Sequence, residues 1–134
     1  DDRHIDHPRA AKLVSDSCFL SGLKKIETSV EPKTFQSVWR PKLVYHYIQW
    51  IDIKPDVIVD VSGFLDKKME AVKAFSSQFY SPDGSRELTP ISSQNFLDNI
   101  RYRALNFGRL IGVEEAEGFT CERYPAVDNI TDLI

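Results

Sequence analysis

An α/β layered fold is what this sequence predicts, on three observations. A Val-Ile-Val run at 57–59 follows the turn Lys54-Pro55-Asp56 and leads through Ser62-Gly63 into apolar residues at helical spacing. The stretch Lys42 to Trp50 is dense in aromatic and branched residues, the kind strands favour. Amphipathic helical periodicities flank these runs on both sides. Strands and helices mixed in one chain bury their apolar faces most economically by packing helices on a sheet.

Taken in order, the first helix should begin near Pro8, because proline is favoured at the first helical position, where its missing N–H would have no partner. His7 then sits at or beside the N-cap. Ala10, Leu13, Val14, Ser17, Cys18 and Ser21 form a stripe of small and apolar residues suited to close packing on a sheet, and Gly22 is a plausible stop. The polar stretch Glu27 to Ser37, with Pro32 inside it, reads as an exposed loop. The strands Lys42 to Trp50 and Asp56 to Val61 follow, the second resembling a buried strand. Leu65, Met69, Val72, Phe75 and Phe79 mark a second helix, with Asp66 near its N-terminus, where negative charge is favoured. Ser81-Pro82-Asp83-Gly84-Ser85 is a turn cluster. A third helix is expected from about Ser93 to Leu110 on the stripe Phe96, Ile100, Ala104, Phe107 and Ile111, with Arg101, Arg103 and Arg109 on its other face. The tail from Glu117 to Ile134 reads as a loop or short strand.

With 134 residues, 42 % of them hydrophobic, the chain is long enough for one domain with a core, or for part of a larger one. A formal net charge of -3 supplies no basic field to collect phosphates, which argues against a nucleic-acid partner. The apolar runs are too short to span a bilayer, so no membrane partner is expected. Cys18 and Cys121 show no Cys-x-x-Cys spacing and fit buried thiols of a reducing, cytoplasmic environment. The chain opens Asp1-Asp2-Arg3-His4 with no Met and no apolar run before the first helix, as if a preceding strand had been cut away; a natural start there is equally compatible with physics.

The chemistry-bearing cluster is His4-Ile5-Asp6-His7 at the helix entrance. Imidazole is the commonest protein ligand for zinc, and two histidines three residues apart can face one cavity. Asp6 can accept the second N–H of an imidazole and fix its tautomer. The same pattern also fits two solvated side chains. The remaining histidine, His46, lies in the first strand between Tyr45 and Tyr47 and is expected to be half-buried and satisfied.

The segment Asp2-Arg3-His4-Ile5-Asp6-His7-Pro8-Arg9-Ala10-Ala11 resembles the second signature of the LmbE-like (PIG-L-type) N-acetylglucosamine deacetylases, Asp-Arg-His-Pro-Asp-His before a helix with small residues, Ile5 replacing the proline. The resemblance continues through Tyr45-His46-Tyr47, Lys54-Pro55-Asp56, Asp60-Val61-Ser62, Ser77-Gln78-Phe79, Thr89-Pro90 and Ala116-Glu117-Gly118-Phe119. The chain looks most like the bacillithiol-pathway branch, which acts on N-acetylglucosaminyl malate.

This resemblance implies the C-terminal portion of a Rossmann-like, LmbE-type layered sheet with flanking helices. It implies zinc, although the ligand types also accept other divalent metals. His7 matches a zinc ligand, His4 the histidine that stabilises the oxyanion or protonates the leaving amine, and Asp6 the carboxylate that holds it. Arg3 adjoins the site, and Arg40 falls where the family keeps an arginine reaching the substrate pocket; as a bare residue, Arg40 reads equally as a surface cation beside Pro41. The family's first signature, His-Pro-Asp-Asp-Glu, carries two further ligands and the general base, and it does not occur in this sequence. The expected partners are therefore an N-acetylglucosaminyl substrate, the missing N-terminal portion of the same protein, and further copies in a homo-oligomer. A non-catalytic binding or assembly module on the same scaffold is the competing reading. A thiol enzyme using Cys18 or Cys121 is the third.

Overall fold

The structure, a computed structural model, describes residues 4–79 and 89–133. It is mixed α/β, with small antiparallel sheets and helices, and divides into two compact units, 1–56 with 119–134 and 57–118. The turn cluster at 81–85 and Arg3 lie outside the described residues.

In the first unit, α1 spans Asp6–Leu20. It starts two residues before Pro8, with Ile5 as an N-cap that has no side-chain cap bond, so Asp6 rather than a capping side chain faces the positive end of the helix dipole. No α1 residue is buried: Leu13 is 67 % and Val14 53 % exposed. The stripe expected to pack on a sheet is thus open in this chain. The loop expected at 27–37 contains a hairpin, β1 (Ser29–Glu31) paired antiparallel with β2 (Thr34–Phe35). Pro32 fixes the first turn position and Lys33 takes φ 72°, the combination of a type II turn, so local turn chemistry overrode the polar composition.

The next strand, β3, is only Tyr45–Tyr47, far shorter than the aromatic run that predicted it. It pairs antiparallel with the 119–121 end of β5 (Ala116–Cys121), Tyr45 opposite Cys121 and Tyr47 opposite Phe119. A strand extends only as far as its partner's ladder, and this ladder is three residues long. The Tyr45 ring meets Phe119 edge-on with centroids 6.4 Å apart, a favoured aromatic geometry. The short 3-10 turn Ile130–Asp132 is closed by a capping box with Asn129.

In the second unit, β4 (Val57–Asp60) neighbours the start of β5. The tail read as a loop or short strand therefore supplies a paired strand. Its buried positions, Ala116 and Gly118, are too small to raise a hydrophobic signal. Val57 and Ile58 are half-buried and Val59 is exposed, so β4 is a sheet-edge strand and not one buried on both faces. From its end, the carboxylate of Asp60 accepts bonds from the Ser62 hydroxyl at 2.6 Å and amide at 2.9 Å, and Gly63 takes φ 81°.

The core of this unit lies between α2 (Leu65–Ala74) and α3 (Gln94–Ile111), where Leu65, Met69, Leu97 and Ala104 are buried with Val72, Phe96 and Ile100 against them. The α2 N-terminus has no cap from Phe64; the Glu115 carboxylate instead accepts from the amides of Gly63 at 3.1 Å and Leu65 at 3.4 Å. Asp66 sits in the first turn of α2, as expected, and pairs with Arg101 of α3 at 2.9 Å. Phe79, beyond the end of α2, stacks on Phe96. The third helix follows its predicted stripe, opened by the Ser93 hydroxyl on the Phe96 amide.

That helix ends at Gly112 in the left-handed region, and the Val113 amide returns to the Gly108 carbonyl at 3.0 Å, the long bond of a Schellman motif. The returning backbone presses on Gly108, where a Cβ would lie 2.6 Å from the Glu114 carbonyl oxygen and 2.7 Å from that of Val113. Helix propensity alone favours Gly108→Ala by about 1 kcal/mol, but backbone oxygens cannot retreat as a flexible side chain does, and overpacking costs about 1–3 kcal/mol. Gly108→Ala is expected to lower the thermal midpoint, and a raised midpoint in a calorimetric scan would show that the turn yields.

No helix among the described residues is long and apolar enough to cross a membrane.

Candidate functional site

The predicted site residues on described positions separate into two places. His4 lies just before α1, His7 and Asp6 in its first turn, and the two imidazole centroids are 5.9 Å apart, tilted by 43°. The i, i+3 spacing brings them to one side of the helix entrance, where the His7 amide also donates to the His4 carbonyl.

Asp6 meets His4 in two ways. Its backbone amide donates to His4 Nδ1 at 3.3 Å, which suits a neutral ring with its proton on Nε2. Its carboxylate Oδ2 lies 3.5 Å from the same nitrogen, ready to receive Nδ1–H when the ring is charged. One residue thus meets the same ring nitrogen through both its backbone and its side chain. The pair is well exposed to solvent.

His7 opens on a cavity of about 530 Å³ lined also by strand β3, by Gln49 and by Thr120, with His46 and Thr120 as a cross-strand pair. The helix contributes the small residues Ala10 and Ala11, whose size leaves the space open. This volume lies in the range of small-molecule sites. The paired strands here are antiparallel, so the rule placing sites at the carboxyl ends of parallel strands does not locate this one; the helix N-terminus does.

His46 is half-buried, and its Nε2 lies 2.9 Å from Glu122 Oε1. The expectation of a satisfied strand histidine holds, but its partner was not legible: Glu122 follows a segment read only as a loop or short strand. Glu122 is held below the usual carboxylate range by a hydrogen bond from Ser15 on α1 and by the one with His46, against the opposing effect of partial burial. Because its folded-state value is depressed, this clamp contributes its stability above the ordinary carboxylate range and loses it as pH falls through the lowered value.

Arg40 is elsewhere. Its guanidinium donates to the Phe19 carbonyl at 2.8 Å and lies 4.5 Å over the Phe19 ring, closing the C-terminal end of α1. Twelve residues separate Phe19 from His7, about 18 Å along a helix axis. Arg40 is not among the residues lining the His7 cavity.

No family model matches the chain. Among solved structures, its fold is shared with the conserved protein TT1542 from Thermus thermophilus, at a TM-score of 0.75 and 23 % identity. The alignment covers 97 % of this chain and 51 % of TT1542. The chain therefore spans about half the length of TT1542. At this identity the likeness establishes fold alone.

Both cysteines are free and partly buried. Burial raises the Cys121 thiol above its ordinary value, and the nearby Asp56 carboxylate, which accepts the Cys121 amide at 2.8 Å, adds to the shift. Such a thiol is a poor nucleophile at neutral pH. Peptide mapping after iodoacetamide treatment should find Cys121 alkylated more slowly in the folded chain than in the urea-unfolded one; equal rates would restore a thiol-based reading.

Proposed function

We propose that this chain forms the C-terminal portion of an LmbE-like hydrolase that removes acetyl from an N-acetylglucosaminyl conjugate. The substrate favoured by the branch resemblance is N-acetylglucosaminyl malate of bacillithiol biosynthesis. The observation that carries the reading is the Asp2 to His7 signature at the entrance of α1, with His7 opening on a small-molecule cavity and His4 cradled by Asp6. The half-length match to TT1542 and the uncovered face of α1 support a chain that is completed by a further portion on a Rossmann-like layered sheet.

The donor set fits zinc in kind and falls short in number. His7 offers an imidazole donor, but among the described residues no group of three or more His, Cys, Asp or Glu side chains is placed to hold a metal ion. A catalytic zinc needs about three protein ligands and an open position. The others belong to the His-Pro-Asp-Asp-Glu portion, and zinc held there would polarise the acetyl carbonyl and acidify a bound water. This chain's own contribution is the acid side of the reaction: His4, oriented by Asp6, delivers a proton to the departing amine or steadies the tetrahedral oxyanion. Arg3 adjoins this pair in sequence and is assigned to substrate binding. Arg40 keeps that assignment only if it leaves the Phe19 carbonyl or serves a neighbouring copy in a homo-oligomer.

We assign the enzyme to the cytoplasm, with neither nucleic acid nor membrane as partner, on the composition and the short apolar runs. The alternative, a non-catalytic assembly module, draws on the same exposed α1 stripe. Reconstitution with the portion bearing His-Pro-Asp-Asp-Glu, assayed for zinc-dependent acetate release, separates the two.

A further inference from the structure

The cavity beside His7 holds a second oriented imidazole that the zinc signature does not use. His46 lines it, and the Nε2 edge of that ring is occupied by Glu122 at 2.9 Å. An ionised carboxylate has no proton to give, so the hydrogen in this bond must sit on His46 Nε2. In the neutral ring this leaves Nδ1 with its lone pair, a hydrogen-bond acceptor. Glu122 is itself tied by the Ser15 hydroxyl of α1, and β3 is anchored on β5 with His46 opposite Thr120. The tautomer is therefore set by a braced partner, as a buried carboxylate sets the ring of a catalytic histidine.

The rest of the lining indicates what would meet that acceptor. Gln49 and Thr120 line the cavity beside His46, while Ile53 and Val14 keep part of the wall apolar. An apolar wall with a few directional polar groups suits a pyranose, whose ring C–H face is apolar and whose rim is a set of hydroxyl donors. The geometry points to His46 as a substrate-binding residue that accepts a hydrogen bond from a sugar hydroxyl at Nδ1, with Glu122 as the residue that positions it. This inference rests on the sugar substrate of the proposed function, and not on its metal or its reaction.

Two variants separate this role from a purely structural one. Glutamine places a polar atom near the Nε2 position and keeps the bond to Glu122 while deleting Nδ1; asparagine keeps a polar atom near Nδ1 and releases Glu122. The test uses the 134-residue chain with ¹⁵N-labelled histidine in alkaline buffer, and free N-acetylglucosamine as the probe. Long-range nitrogen–proton spectra should show His46 protonated on Nε2 only, and the sugar should move its Nδ1 resonance. His46→Gln should leave the thermal midpoint in place yet weaken the sugar about threefold to tenfold, the worth of one hydrogen bond. His46→Asn should lower the midpoint and retain more affinity than His46→Gln. A ring protonated on Nδ1, a sugar titration that leaves His46 unmoved, or an unchanged affinity in His46→Gln would each overturn the assignment. A chain that binds the sugar at His46 but never supports deacetylation sinks the proposed reaction and leaves this site standing. Deacetylation by the reconstituted enzyme with an unaltered KM in His46→Gln does the reverse.

Discussion

The purified chain, supplied with zinc and N-acetylglucosaminyl malate, is expected to release no acetate, and to acquire that activity when co-expressed with a segment bearing His-Pro-Asp-Asp-Glu. The expectation follows from counting what the site contains. His7 is one imidazole donor where about three protein ligands are needed, and the signature that carries the general base is absent from the sequence. A positioned general base alone contributes about 10²–10⁴ in rate, and the metal adds several kcal/mol of charge stabilisation. Losing both together puts the isolated chain below detection.

The same experiment has a structural readout, because α1 has no buried residue in this chain. A fifteen-residue helix with no fully buried residue draws little from tertiary burial, the source of most helical stability in proteins. Binding of the complementary portion should therefore slow amide exchange along α1, most at Leu13 and Val14. Chelator-sensitive acetate release by the chain alone would overturn the half-site reading. Co-expression that slows exchange in α1 and yields no activity would favour the assembly module.

How far the sequence disclosed this structure depends on the range of the interaction behind each feature. The helices were legible because periodicity and end signals are local: Ser93 and Gly112 bound α3 by a hydroxyl cap and a left-handed residue, and its stripe needed no knowledge of its partner. The strands were less so. Tyr45-His46-Tyr47 is all that survives of a nine-residue aromatic run, because strand length is set by β5, whose Ala116 and Gly118 give no hydrophobic signal. The Lys33 turn was hidden by polarity, although Pro32 followed by a residue at positive φ is a local motif.

The site divides along the same line. His4, Asp6 and His7 lie within one helical turn, so their juxtaposition follows from spacing. Ser15, His46 and Glu122 come from three elements and meet only through the pairing of β3 with β5, which no pattern in the sequence announces. Arg40, assigned by resemblance to a substrate pocket and equally readable as a surface cation, satisfies a helix carbonyl in this structure, an interaction that depends on the close approach at Gly22, where a Cβ would fall 2.4 Å from Arg40 Nε.

In the reconstituted enzyme, His7→Ala and His4→Ala should fail in different ways. His7→Ala is expected to empty the metal site and cut kcat at least about a thousandfold, since the metal supplies several kcal/mol and each step of about 1.4 kcal/mol is tenfold. His4→Ala should keep its zinc and lose about 10²–10⁴ in kcat with KM little changed, because a proton donor acts in the transition state and not in ground-state binding. Asp6→Asn isolates the charge, for it retains the backbone amide that meets His4 and replaces the carboxylate by a neutral amide that can still accept. Its loss should be smaller, about 10–100-fold. Metal content measured beside kcat decides the assignment: stoichiometric zinc in an inactive His7→Ala enzyme would exchange the roles of the two histidines. Zinc lost from His4→Ala would make both of them ligands, and Asp6 the carboxylate that orients a metal-bound ring.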